Sequence, residues 1–260
     1  MIAYLKELFL YRELLWRWVV RNVKVRYKQS LLGIAWAILQ PLSATIIFAV
    51  VFSRFVRVPT DGIPYPIFYY SALLPWTFSS SSITFGVSCL VNNMGLVTKI
   101  YFPREILPIA AVIASFVDFL IAALIYVGMM IFYQVPVGPS WVWVPVLILI
   151  QIALTLGVVL FASALNVFYR DIRFVVPLGM QLWMYLTPII YPLSMVPERF
   201  RALYMLNPMA GLIDSYRRII LQAQWPDSTN VLVAAVISVG IFFLAYLYFK
   251  RAEAAFADII

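Results

Sequence analysis

The chain has 260 residues, of which 64% are hydrophobic and only 12% charged, and its mean hydropathy is +0.95. Soluble domains are about half apolar and about a quarter charged, so this composition excludes an ordinary soluble globule and predicts an integral membrane protein. A lone cysteine, Cys89, precludes an intramolecular disulfide, and the lack of histidine removes the usual catalytic base and commonest metal ligand.

Residues 1–29 predict an amphipathic helix in the cytoplasmic membrane interface, with Trp16 and Trp18 near the headgroups. At about 100° per residue, most of its charged side chains share a sector of about 120°. These residues are Lys6, Glu7, Glu13, Arg17, Arg21, Lys24 and Lys28, whereas Arg12 and Arg26 lie outside the sector. Anchoring and topology control explain the basic residues; alternatively, Arg21, Lys24, Arg26 and Lys28 also meet a phosphorylated lipid.

Six segments contain enough consecutive apolar residues to cross about 30 Å of hydrocarbon at about 1.5 Å per residue. They are residues 31–53, 67–91, 108–133, 143–168, 174–191 and 230–249. The fifth carries Pro177, Pro188 and Pro192, which predicts an irregular segment buried against its neighbours. In the second, the serine run at 79–82 with Thr84 predicts either close helix packing or a stripe that faces a pore.

The distribution of basic residues predicts the orientation of these spans. The side that holds both termini carries 13 of the 19 basic residues, and short cytoplasmic loops collect Lys and Arg. Both termini are therefore expected in the cytoplasm. The membrane then explains the net charge of +8 without nucleic acid, for which the sequence has no recognisable binding motif.

The cytoplasmic loop at 92–105 is too apolar for a solvated connector. Gly95 and Pro103 bracket a short helix, and we expect Leu96, Val97, Ile100, Tyr101 and Phe102 to be exposed unless something covers them. Either a cytoplasmic partner covers this segment or the segment dips into the headgroups. The candidate partner contacts are Asn93, Leu96, Lys99, Tyr101, Phe102 and Arg104.

The external excursion at 193–227 has apolar residues at helical spacing, broken at Asn207 and Pro208. This pattern predicts two short helices that re-enter the outer leaflet. Asp214 and Arg218 either form a simple pair on one helix face or belong to a gate at the external mouth. The candidate gate residues are Asn207, Pro208, Tyr216 and Arg217.

Asp118 is the one acidic residue deep in a predicted span, where a charge costs about 2.5–3.5 kcal/mol, so it must be paired, protonated or hydrated. A structural hydrogen bond is expected, and Asp118→Asn should then be tolerated. Aromatic residues make up 17% of the chain, and their flat faces would suit a sliding sugar chain. The candidates for such a path are Trp36, Phe48, Phe52, Trp76, Trp183, Tyr185 and Tyr191.

Several stretches together resemble the ABC-2 type permeases that export O-antigen and teichoic acid, and the resemblance spans nearly the whole chain. They are residues 25–36, 40–42, 74–76, 99–108, 169–173 and 206–208 with Tyr216 and Arg217. The resemblance implies an all-α integral membrane fold with six transmembrane helices, an N-terminal interface helix at 1–29, a cytoplasmic coupling helix within 92–105 and two re-entrant external gate helices within 193–227.

The same resemblance implies a homodimer in the bacterial inner membrane, joined by two separate ATP-binding subunits, that exports a lipid-linked polysaccharide. The sequence has no Gly-x-x-x-x-Gly-Lys-Ser/Thr phosphate loop, so ATP and Mg are expected on the partner subunit, with no cofactor, metal or catalytic site in this chain. The competing classes are a secondary carrier or channel and a membrane enzyme that handles polyprenyl lipids. Asp118 alone offers little for ion coupling, and the scattered acids offer little for catalysis.

Overall fold

The computed structural model describes residues 9–28, 30–60, 62–97 and 100–257, and within these ranges it contains helices and loops but no strand. The all-α prediction is therefore confirmed at the level of secondary structure. The main helices are α1 Arg12–Tyr27, α2 Trp36–Val50, α3 Tyr65–Gly86, α4 Met94–Val97, α5 Ile106–Phe132, α6 Val144–Phe168, α7 Ile172–Tyr185, α8 Glu198–Tyr204, α9 Pro208–Ile220 and α10 Ser228–Glu253.

A helix coincides with each of the six apolar segments, and four helical stretches are long and apolar enough to cross a membrane by themselves. These stretches are Gly33–Phe55, Ile106–Phe132, Pro139–Phe168 and Ser228–Phe256. The first consists of α2 between a 3₁₀ turn and a π-helical turn. The chain is thus a multi-pass membrane protein.

Helix α3 occupies the centre of the molecule and contacts α2, α5, α6, α7 and α9. Most of its 22 residues are buried, including the tyrosines Tyr69 and Tyr70 and the serines Ser79 and Ser82. Its sequence is less apolar than that of the four stretches above because its surroundings are protein. A helix buried on all sides does not need the uniformly apolar surface that lipid demands.

The longest packing seam joins α6 and α10. At its middle the α10 backbone passes so close to Gly157 that a Cβ there would lie 2.8 Å from the Cα of Phe242. Glycine is required at this point because any larger residue would push the helices apart. At about 1.5 Å per residue, the 26 residues of α10 extend about 39 Å, so its two ends lie on opposite sides of the bundle.

A second apolar cluster closes the end of the bundle that holds α1 and α4. It contains Trp18, Val97, Phe102, Phe249 and Phe256. The prediction that Val97 and Phe102 are exposed is therefore wrong: both side chains turn inward onto this cluster, which offers more contact than the surface. Helix α1 packs on α5 and buries the Trp18 ring, whereas Trp16 remains exposed.

The proline-rich fifth segment is broken, as its sequence predicts. Helix α7 ends at Tyr185, and irregular backbone follows as far as Pro192. Its predicted burial is correct only for Met180, residues 187–189 and Pro192, and the rest of α7 is half-buried or exposed. With 14 residues, α7 spans about 21 Å, which is shorter than the hydrocarbon layer.

Candidate substrate groove and its two ends

A groove of about 480 Å³ runs between α2, α3 and α5. Three of the aromatic residues proposed for a sugar path line it, namely Trp36, Phe48 and Trp76. Trp183 lies behind Trp76, with the two rings edge to face at 5.8 Å. The groove is therefore largely aromatic along one wall.

The aromatic wall continues as a ladder of stacked rings. Phe48 stacks on Tyr69 at 4.8 Å with only 7° between the ring planes, and on Phe52 at 5.5 Å. Tyr65 adds a fourth ring, 6.0 Å from Phe52. Ring-to-ring distances of 4.5–7 Å are favourable, so the ladder is a rigid flat surface. Sequence reasoning omitted Tyr65 and Tyr69 because helical periodicity could not pair α2 with α3.

Of the remaining path candidates, neither Tyr185 nor Tyr191 lines the groove. The Tyr191 hydroxyl donates to the Tyr185 carbonyl oxygen at 3.0 Å and lies 2.7 Å from the Tyr204 hydroxyl. Tyr185, the last residue of α7, and Tyr191, in the irregular segment after it, thus lie outside the aromatic wall.

The groove ends at an ion pair between the interface helix and α5. The Arg26 guanidinium pairs with the Asp118 carboxylate and donates to the Ser115 hydroxyl at 3.1 Å, while its carbon lies 4.1 Å above the Phe85 ring. The Tyr27 hydroxyl donates to the other Asp118 oxygen at 2.7 Å. Of the three states expected for Asp118, the structure shows the paired one.

Burial raises the pKa of the Tyr27 hydroxyl, and its hydrogen bond to the negatively charged Asp118 raises that pKa further. Tyr27 therefore stays a neutral donor at physiological pH. Tyr27 and Arg26 are thus the two donors to Asp118 at this end of the groove, and the Ser115 hydroxyl accepts from Arg26.

The four basic candidates of the interface helix do not converge on one site. Only Arg26 reaches the groove. Arg21 instead donates to the side-chain oxygen of Asn93 at 2.9 Å and stacks on Trp18 at 4.4 Å. Lys24 and Lys28 are exposed. Arg21 thereby connects the interface helix directly to the segment that the sequence assigns to partner coupling.

Two different surfaces form that coupling segment. Leu96, Ile100 and Tyr101 are exposed, and Tyr101 has 82% of its surface accessible. Asn93 points back into the protein and donates to the Cys89 carbonyl oxygen at 2.7 Å, and Phe102 is buried as described above. Lys99 lies outside the described residues.

The coupling segment ends in a polar clamp on the end of α10. The Lys250 ammonium contacts Glu105 at 2.7 Å and Glu253 at 2.9 Å. The Arg104 backbone N–H donates to the Glu253 carboxylate at 3.3 Å, and the Arg104 guanidinium donates to the Glu253 carbonyl oxygen. Glu105 is almost wholly buried, so Lys250 supplies the countercharge that permits its burial.

At the opposite end of the bundle, Asn207 fastens α9 to the end of α7. Its side-chain oxygen caps α9 by accepting from the Met209 backbone N–H at 3.1 Å and also accepts from the Trp183 indole at 2.9 Å. Its amide donates to the Leu186 carbonyl oxygen and the Thr187 hydroxyl, each at 3.0 Å. Pro208 follows as the buried first residue of α9.

Arg217 is a buried arginine whose guanidinium binds backbone carbonyls. It donates to Pro188 at 2.6 Å, to Ile189 at 2.7 Å and, over longer distances, to Tyr191 and Phe68. The same group lies 3.7 Å above the Phe68 ring. Arg217 thus satisfies the carbonyls that the proline-broken chain leaves without helical partners.

A buried hydrogen-bond network links α3, α6 and α9. Gln151 donates to the Pro75 carbonyl oxygen at 2.6 Å and to the Ser79 hydroxyl at 3.0 Å, and it accepts from the Tyr216 hydroxyl at 3.1 Å. Ser79 and Ser82 therefore serve packing, whereas Ser81 lines the groove. Close packing is therefore correct for Ser79 and Ser82, and the pore-facing stripe stays a prediction.

Arg218 does not form the simple pair with Asp214 that their spacing allows. Its ion pair, at 3.7 Å, is with Asp227 at the start of α10. Burial raises the pKa of the Asp214 carboxyl, because loss of water disfavours its charged form.

A helical multi-pass chain with an aromatic groove has the architecture of a membrane transporter subunit, and comparison with known families agrees. Residues 13–221 match the family model described as ABC-2 type transporter. The chain therefore belongs to the ABC-2 type transporter family, whose members are the membrane subunits of ABC transporters that work with an ATP-binding partner.

Several relatives are similar over most of their length. The chain is 33% identical to the O-antigen export system permease protein RfbA of Myxococcus xanthus. The alignment has 267 positions and covers 100% of both chains. It is 34% identical to the protein of the same name from Klebsiella pneumoniae, over 77% of each chain. The polysialic acid transport protein KpsM of Escherichia coli is 21% identical over 91% of this chain and 92% of its own length.

Proposed function

We propose that this chain is the permease subunit of an ATP-driven exporter that moves lipid-linked polysaccharide, such as O-antigen, from the cytoplasm across the bacterial inner membrane. Two copies form the channel, and two separate ATP-binding subunits bind ATP and Mg and supply the energy. The names of the similar proteins, which export O-antigen or transport polysialic acid, support a polysaccharide as the cargo.

The observation that carries the proposal is the stacked aromatic wall of the groove. Phe48, Tyr69 and Trp76 offer flat faces on which sugar C–H groups stack with little directional preference. Such a surface holds successive sugar units with similar weak affinity, so a polymer can slide. A channel for small ions would instead need rings of charges or carbonyls at a constriction.

The six-span topology is completed by α3 and α7. Helix α3 is long enough to cross but is surrounded by protein, and α7 is continued by the irregular backbone that Arg217 holds. Helices α8 and α9 then form the external gate helices, with α9 re-entering the outer leaflet. In this arrangement both termini are cytoplasmic, in accord with the excess of basic residues on that side.

The apolar faces of α2 and α7 support a homodimer. The hydrophobic stretch Gly33–Phe55 is only 11% buried within one chain, and α7 buries only Met180. The groove also opens beside these helices, since Trp36 and Phe48 line it from α2. A second copy placed against α2 and α7 would cover both faces and turn two open grooves into one enclosed path.

The ATP-binding subunit would bind the exposed part of the coupling segment. Leu96, Ile100 and Tyr101 form an apolar patch at the cytoplasmic end, directly before the clamp that Arg104 and Glu105 make with α10. Movement of the partner would therefore reach α10 through residues already in contact with it. The exposed Arg21, Lys24 and Lys28 of α1 would receive the lipid pyrophosphate, with Arg26 at the groove entrance.

The experiment is to purify the chain with its ATPase subunit, reconstitute the complex in proteoliposomes and add lipid-linked polysaccharide. We expect the lipid-linked polymer to stimulate ATP hydrolysis and to accumulate on the far side of the membrane. Phe48→Ala, in the groove wall, should reduce export. Phe243→Ala removes a half-exposed aromatic ring of α10 outside the groove and should leave export unchanged. The proposal would be overturned if no ATPase subunit co-purified with the chain, or if the lipid-linked polysaccharide did not change the rate of ATP hydrolysis.

A further inference from the structure

A polar pocket of about 340 Å³ lies between α9 and the start of α10, on the side opposite to the clamp. Its walls come from separate parts of the chain, including Thr60, Ser194 and the loop between the two helices. Its size suits a small ligand, because ligand pockets start at about 300 Å³. None of the groove residues lines it, so it is a separate site.

The pocket contains hydrogen-bonding groups that the protein leaves unused. Asp214 lines it, and within the described part of the chain its carboxylate has neither a hydrogen bond nor an ion pair. The side-chain amides of Gln222, Gln224 and Asn230 also line it and likewise make no hydrogen bond with a described residue. In contrast, the Arg217 guanidinium already donates hydrogen bonds to backbone carbonyl oxygens.

The backbone places two of these amides at the pocket together. Ala223, between Gln222 and Gln224, has φ of 53°, a left-handed conformation that non-glycine residues rarely adopt. Gly138 faces it so closely that a Cβ there would lie 3.0 Å from the Ala223 Cβ. The tight turn brings both glutamines to one rim of the pocket, where they are exposed to a ligand.

The mixture of charges selects the chemistry of the ligand. Phosphate would meet the carboxylates of Asp214 and Asp227, and a divalent cation would meet the three arginines that also line the pocket, Arg201, Arg217 and Arg218. A hydroxyl group both donates and accepts hydrogen bonds, so it matches carboxylate, amide and guanidinium groups at once. A neutral ligand rich in hydroxyl groups therefore suits this lining best.

We propose that the pocket binds a neutral sugar unit of the polysaccharide on the external side, which rests on the export function proposed above. Asp214 accepts hydrogen bonds from sugar hydroxyls, and the amides of Gln222, Gln224 and Asn230 both donate and accept. A sugar unit bound there lies against α9, on the side where the polysaccharide leaves, and the pocket is thereby an external subsite for the emerging chain.

The test uses the complex of this chain with its ATPase subunit in phospholipid nanodiscs, free of sugar-based detergent. The probe is lipid-free polysaccharide released by mild acid from the cells that supply the gene, and its binding is measured by saturation-transfer NMR and equilibrium dialysis. Asp214→Asn should weaken binding about tenfold, because it removes a charge-assisted hydrogen bond. Gln224→Ala changes an exposed side chain that makes no hydrogen bond with a described residue, and it should also weaken binding.

Glu198→Gln is the matched control, since it removes one carboxylate charge from the same side. The Glu198 side chain is 89% exposed and does not line the pocket. Its ion-pair partner Arg201 does line the pocket, but their ion pair is exposed and weak. Equal polysaccharide binding by wild type, Asp214→Asn and Gln224→Ala would overturn the pocket proposal, as would binding of inorganic phosphate or calcium in place of the polysaccharide. Export in proteoliposomes is measured separately. If the complex exports polysaccharide but the pocket variants bind it as well as wild type does, the pocket proposal is refuted and the proposed export function is not.

Discussion

The clamp between the coupling segment and α10 offers a sharp test of how the buried charges are balanced. Lys250→Met removes the cation that contacts Glu105 at 2.7 Å. The Glu105 side chain is only 2% exposed and that of Lys250 18%. Breaking a buried pair by removing one partner costs about 3–5 kcal/mol, because the other charge stays buried without compensation. We expect about 3 kcal/mol, since the Lys250 side is partly open to water.

The assay is unfolding in mixed micelles with increasing SDS, monitored by circular dichroism. Replacing both charges, as Glu105→Gln with Lys250→Met, should recover most of the loss, because a neutral pair carries no such penalty. The matched control is Arg251→Met, which removes an exposed cation at the next position and should change stability by less than about 0.5 kcal/mol. If Lys250→Met costs no more than this control, the clamp does not carry the energy assigned to it.

Three further predictions concern stability and use the same unfolding assay. Asp118→Asn should lower the free energy of unfolding by about 1.5–3 kcal/mol, because the Arg26 side chain is only 13% exposed and loses its counterion. This loss is larger than the sequence alone suggests, and a change below about 0.5 kcal/mol would contradict it. Gly157→Ala should destabilise the protein by about 1–3 kcal/mol, because its new methyl group overpacks the contact with α10. The control Gly128→Ala has open space at its Cβ and should stabilise the protein by about 0.5–1 kcal/mol. Equal effects of the two substitutions would be inconsistent with the close α10 contact. Asn207→Ala should cost about 2 kcal/mol, because it removes both the helix cap and the bond from the Trp183 indole, and a loss under about 0.5 kcal/mol would show that neither matters.

Hydropathy and helical periodicity predict the helices of this fold well, because lipid imposes simple rules on length and composition. The apolar segment at 108–133 coincides with Ile106–Phe132, and the prolines near 188 mark a real end to α7. The segment at 67–91 likewise predicts α3, but this helix does not meet the hydropathy expected of a lipid-facing span. Its burial depends on neighbours that a hydropathy window does not include.

The contacts within the candidate sites could not be predicted, because they join residues far apart in the chain. Asp118 was expected to need a partner, but nothing in the sequence indicates that the partner is Arg26, 92 positions away. Likewise, Phe102 is part of an apolar loop that looks exposed, and only the folded end of α10 explains why it turns inward. Local patterns predict which groups need compensation, and the tertiary structure decides which residues provide it.

Arg217 also limits how the external side of this molecule can move. One guanidinium from α9 holds the carbonyls of Pro188 and Ile189, and no other donor in the described part of the chain bonds to those two oxygens. If α9 shifted alone, these carbonyls would lose their partner within a region with little water, at a cost of several kcal/mol. When the external side opens, α9 and the irregular backbone after α7 must therefore move together as a single rigid body. The hinge of this movement must lie outside these two elements.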